Sequence, residues 1–150
     1  MAKILCIDDN AHGLNARRVL LERKGHQVTV ARSGPEGIQT FRREKADLVI
    51  ADYFMPQMNG AEVVREIKRR APSLPVILLS GYTETLALEE KVKEADCILS
   101  KGAREIPELL HAVARLLRKS AKKSAKKPAK KPSASVRAKP KKPARRKVAS

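Results

Sequence analysis

Aliphatic residues gather in five short runs along the chain: Ile4–Ile7, Val28–Val30, Leu48–Ala51, Val76–Leu79 and Cys97–Leu99. Each run is too short for a helix and mostly aliphatic, rich in Ile and Val, as expected of strands covered on both faces. Between the runs the apolar period changes. Leu14 with Val19 to Leu21, Ile38 with Phe41, Val63 and Val64 with Ile67, and Leu86 and Leu88 with Val92 mark one-sided helices. Past the last run, Leu109, Leu110, Val113, Leu116 and Leu117 stand at i, i+1, i+4, i+7 and i+8. Pro107 suits the first turn of that final helix, where its missing N–H would have had no partner anyway.

Strand and helix alternate throughout, which predicts an α/β fold. Parallel neighbours need crossover connections, and the crossover helices cover both faces of the sheet. Five units fit a doubly wound, flavodoxin-like sheet of order 2-1-3-4-5. In that order the first, third, fourth and fifth strands are neighbours about 4.8 Å apart, with their carboxyl ends on one edge. Four of the runs break off at a reactive group: Asp8 and Asp9, Asp52, Ser80 and Lys101. These are therefore expected to converge on one crevice, where open parallel sheets bind ligands.

Three carboxylates so close repel by about 4 kcal/mol per pair at an effective dielectric near 20. Either a carboxyl pKa rises, or a hard divalent cation binds; an all-oxygen site with one open side suits Mg²⁺. With the Lys101 ammonium and the Ser80 hydroxyl, the set is suited to phosphoryl transfer, in which catalysis is mostly positioning and charge neutralisation.

CIDDN after the first strand, DYFMPQMNG after the third, LSGYT after the fourth and a Lys after the fifth resemble the response-regulator receiver domain of two-component signalling, over about residues 2–118. The resemblance implies that Asp52 accepts a phosphoryl group from a histidine kinase or phosphotransfer protein. It implies that Asp8 and Asp9 hold Mg²⁺ together with Asp52 and the backbone carbonyl of Phe54, that Ser80 hydrogen-bonds a phosphoryl oxygen, and that Lys101 pairs with it. It also implies a switch rather than a metabolic enzyme. The chain departs from the family pattern at Ile98, where an aromatic is usual, at Gly102, where Pro commonly follows the Lys, and at Glu94, where Gly is familiar. Phe54 and Tyr82 occupy positions that flank the hydrolytic water in the family and offer it no carboxylate or amide, so the expected phosphorylated state lasts minutes to hours.

Other polar residues point to no chemistry. His12, His26 and His111 read as solvated or turn residues, and Cys6 and Cys97 as reduced core thiols without metal spacing. Gly34, Gly37 and Gly60 form no phosphate loop, and Gly34-Pro35 marks the start of the second helix.

Charge divides the chain. The formal net charge is +17, and 14 of the 33 Lys and Arg but none of the 16 acidic residues lie in 119–150, which leaves 19 basic against 16 acidic residues before it. From Ser120 the sequence runs SAKK, SAKK, PAKK, P, with Pro128, Pro132, Pro140 and Pro143 interrupting any helix. Too little apolar surface is present to offset ordering entropy, so 119–150 is expected to be a disordered basic tail following a domain at 1–118. Its composition resembles linker-histone tails. Dense cations without a base-reading element favour sequence-independent binding to nucleic acid through Lys122, Lys123, Lys126, Lys127, Lys130, Lys131, Lys141, Lys142, Arg145, Arg146 and Lys147. An anionic membrane surface, acidic proteins or a plain spacer are the alternatives.

No run approaches the roughly 18 apolar residues of a membrane span, and MAKILCIDD is no signal peptide, so a cytoplasmic protein, nucleoid-associated through its tail, is expected. The leading functional expectation is a single-domain response regulator with a DNA-binding tail. A nucleoid-associated binder on a receiver scaffold and a phosphorelay intermediate with an incidental tail are the other two.

Overall fold

The computed structural model describes residues 1–81, 87–88, 91–102 and 104–126, with side chains to residue 122. Among these are strands β1 (Lys3–Ile7), β2 (Gln27–Ala31), β3 (Leu48–Asp52), β4 (Val76–Ser80) and β5 (Cys97–Ser100) and helices α1 (Ala11–Arg23), α2 (Gly34–Arg43), α3 (Gly60–Arg70) and α4 (Glu105–Lys126), a helix following every strand but β4. The sheet is wholly parallel, in the expected order β2-β1-β3-β4-β5. Asp52 and Ser80, expected just beyond their strands, are instead the last strand residues.

Side chains alternate across a strand, and the core divides accordingly. Leu5, Ile7, Val49, Ala51, Val76 and Leu78 face Ile38 of α2 and Val63, Val64 and Ile67 of α3. Ile4, Cys6, Leu48, Ile50, Ile77 and Leu79 face Leu14 and Leu21 of α1 and Leu109, Val113 and Leu116 of α4. Of the expected helix around Leu86, Leu88 and Val92, Leu86 lies outside the described residues, while Leu88 and Val92 are buried in the first cluster. Burial pushes the Cys6 thiol up to about 12 and likewise raises that of the partly buried Cys97, which disfavours the thiolate at both.

Helix α4 runs across the boundary between two compact units. One compact unit ends at Leu117 and a second begins at Arg118, yet helix continues to Lys126, well inside the segment expected to lack structure from residue 119. The reason is local. Ala and Lys are good helix formers, whereas Lys repulsion at i, i+4 costs only about 0.2–0.5 kcal/mol per pair, and the first breaker is Pro128. No helix among the described residues is long and apolar enough to cross a membrane.

Candidate functional site

Backbone hydrogen bonds carry the ladder one residue past the strand ends and so fix the side chains at the carboxyl edge. Asp8 N–H donates to Ala31 O at 3.1 Å, Tyr53 N–H to Leu79 O at 2.7 Å and Lys101 N–H to Ser80 O at 2.8 Å. The loops leaving this edge are closed by caps. Asn10 Oδ1 accepts from the N–H groups of His12 and Gly13, which starts α1 directly behind the acidic pair. Asn59 and Glu62 form a capping box at α3, each side chain accepting the other's backbone N–H at 3.0 Å.

Between Asp52 and that box the chain makes a γ-turn: Met58 N–H donates to Pro56 O at 2.7 Å around Gln57, whose φ is 71°. Gly60 N–H then returns to Tyr53 O at 2.8 Å. A methyl group on Gly60 would stand 2.5 Å from the Asp52 carbonyl oxygen and 2.5 Å from Leu78 Cδ1. Glycine is thus required by close approach, which explains the last residue of the Asp-x-x-Met-Pro-x-Met-x-Gly stretch.

Asp8, Asp52 and Ser80 are 1%, 3% and 2% exposed, while Asp9 is exposed. Carboxylate oxygens of Asp8, Asp9 and Asp52 lie within 4.8 Å of one another. Lys101 Nζ is 2.5 Å from Asp52 Oδ1 and 3.9 Å from Asp8 Oδ2. Burial raises the Asp52 carboxyl above its ordinary range; the Lys101 hydrogen bond opposes this, and the Asp8 charge adds to it.

Sequence reasoning missed two members of this cluster. Arg17 of α1, 5% exposed, donates from Nη1 to Asp8 Oδ2 at 2.6 Å and from Nε to Glu105 Oε2 at 3.0 Å. Its own burial would lower its pKa, but the hydrogen bonds to Asp8 and Glu105 outweigh that and raise it. One signal was readable: Leu14, Arg17 and Leu21 share one helix stripe, and α1 buries all three.

Asp8, Asp9, Asp52 and Glu105 against Arg17 and Lys101 leave a formal charge of −2. Three hard oxygen donors within 4.8 Å of one another and an excess of two negative charges fit a small divalent cation.

The remaining expectations distribute as follows. Ser80 sits at the tip of β4 beside Asp52's strand, its hydroxyl 3.4 Å from Gly81 O. Phe54 follows β3 with its ring 69% exposed and edge-on to Tyr53 at 5.8 Å; Tyr82 lies outside the described residues. Ile98 packs against the α2 and α3 face. Gly102 has a φ of 158°, which a proline ring fixed near −65° cannot adopt, so the chain leaves Lys101 by a path closed to proline. His12 and His111 are exposed. His26 lies just past the Lys24–Gly25 turn, and its Nδ1 accepts from Ala2 N–H at 3.3 Å. Of the basic set, Lys122 is exposed on α4, Lys123 and Lys126 lie in its last turn, and Lys127, Lys130, Lys131, Lys141, Lys142, Arg145, Arg146 and Lys147 lie outside the described residues.

Three comparisons bear on this site. Residues 4–114 match the family model described as the response regulator receiver domain. Protein PilH of Pseudomonas aeruginosa is 37% identical over 109 residues, covering 70% of this chain and 83% of that protein, whereas the transcriptional regulatory protein GlrR of Escherichia coli is 38% identical over 81 residues, of which this chain spans only 18%. Among solved structures, the response regulator TrrA of Thermotoga maritima in complex with Mg²⁺-BeF aligns with a TM-score of 0.72 at 29% identity, covering 77% of this chain and 99% of that one.

Proposed function

Because the chain belongs to the response regulator receiver domain family, we propose that it is a Mg²⁺-dependent signalling phosphoacceptor, serving a histidine kinase or phosphotransfer protein and having no metabolic substrate of its own. The observation that carries this reading is the Lys101 ammonium 2.5 Å from a buried Asp52, with Asp8 and Asp9 beside it. Asp52 Oδ attacks phosphorus; the O–P bond forms as the P–N bond of the donor phosphohistidine breaks, and the imidazole leaves. Asp8, Asp9, Asp52 and the Phe54 carbonyl would hold Mg²⁺, which supplies charge neutralisation at the phosphoryl oxygens. Lys101 stays paired with the acyl phosphate, and the Ser80 hydroxyl donates to a phosphoryl oxygen. The Mg²⁺-BeF complex of TrrA supports a Mg²⁺ site in this pocket. Full-length protein with acetyl phosphate and Mg²⁺ should gain one phosphoryl group by intact mass, and Asp52→Asn should gain none. Labelling that persists in Asp52→Asn would refute the assignment.

The basic segment after Arg118 supports a second element, sequence-independent binding to duplex DNA. With 6 to 10 cations on phosphates, affinity should fall by about 10³ to 10⁵ between 50 and 200 mM salt. Gel mobility of the full chain against one ending at Lys119 measures this. A salt-insensitive complex would exclude it, whereas DNA binding without phosphorylation would favour an architectural binder on a receiver scaffold. Phosphorylation without DNA binding would favour a relay intermediate.

A further inference from the structure

The acidic pocket contains a cation that the phosphoryl-transfer reading leaves unused. Arg17 lies on the buried stripe of α1, where a guanidinium keeps its charge and must be matched by carboxylates. It has two. Asp8 belongs to the metal-binding set, and Glu105 opens α4, 88 positions further along the chain. A buried ion triad confers little net stability compared with well-packed apolar residues, so structural support alone is a weak reason for it.

We propose that Arg17 is a positioning residue of the cation site: it competes with a divalent cation for Asp8, and Glu105 sets the strength of that competition by sharing the guanidinium charge. The proposal rests on the pocket being a divalent-cation site. Its physical content is charge conservation within a buried cluster. When a cation takes Asp8, Arg17 keeps Glu105 as its remaining counter-charge, so filling the pocket tightens the first turn of α4. By reciprocity, anything that pulls that turn away weakens cation binding.

Mn²⁺ binding to the full chain, read as loss of the free-ion EPR signal, separates this from a scaffold role. Removing the competing charge with Arg17→Met should tighten Mn²⁺ by about tenfold, within the usual span of coupling between sites. Glu105→Gln, nearly isosteric and leaving Arg17 less compensated, should weaken it severalfold. The double variant should bind more tightly than wild type. In wild type, Mn²⁺ should also slow exchange of the Glu108 amide, which donates to Arg104 O at 3.1 Å in that first turn, and Glu105→Gln should abolish the slowing. A purely structural Arg17 predicts loss of affinity in both single variants, and that result overturns the proposal, as does equal affinity in all four proteins. Should Arg17→Met fail to fold, the exchange comparison between wild type and Glu105→Gln decides alone, and a Glu108 amide that Mn²⁺ does not slow in wild type, or still slows in Glu105→Gln, overturns the proposal. Wild-type protein that binds no Mn²⁺ overturns the cation-site reading and this proposal together, whereas a binding wild type with unresponsive variants overturns only the proposal.

Discussion

At Gly60 a hydrogen atom stands where any other residue would drive a carbon into the Asp52 carbonyl and Leu78. Gly60→Ala should therefore cost about 1–3 kcal/mol, read as a lowered urea midpoint at constant slope, and should slow phosphorylation because the atom displaced is on Asp52 itself. His26 gives the pH dependence. Burial, with the amino terminus adding, lowers its pKa from 6.5, and its Nδ1 accepts a backbone N–H, so the fold favours the neutral ring. This contribution is fully present above about pH 6.5 and is lost as pH falls through the lower folded-state value. Wild type should lose stability on acidification through that window more steeply than His26→Gln, as followed by thermal midpoints. Asp8, Asp9, Asp52, Ser80 and Lys101 could be read in advance because each ends an aliphatic run, and strand ends have a known place in a parallel sheet. Arg17 could not. It precedes Arg18 in a polar stretch that looks solvated, and its distal partner is 88 residues away, beyond the reach of local periodicity.

Among the elements, the strands were legible because mostly aliphatic runs demand two covered faces; alternation made the sheet parallel, and five units fitted the flavodoxin-like order. Ends were less so. A polar residue at a strand tip looks like a turn, although Asp52 and Ser80 still take part in pairing. At the far end of α4, composition suggested no order, while helix propensity up to the first proline carried it to Lys126. The capping box of α3 has a direct consequence for the site, since it closes the loop that begins at Asp52. Asn59→Ala should cost about 1 kcal/mol by thermal or urea unfolding and should increase proteolysis between Tyr53 and Asn59.

Among the described residues the sheet contains no hairpin. Its least separated pairing, Ile77 with Cys97, joins residues 20 positions apart, and Ile4 with Leu48 joins residues 44 apart. Each such closure must be made before its contacts can reward it, which places the chain among folders limited by loop entropy rather than by local propensity. The pocket inherits this dependence. Its acids come from the first and third strands, its ammonium from beyond the fifth, and its guanidinium from a helix braced by the last one. A nascent chain emerging from the ribosome therefore assembles this pocket late: its ion pairs are complete only once Lys101 and Glu105 have been synthesised and docked.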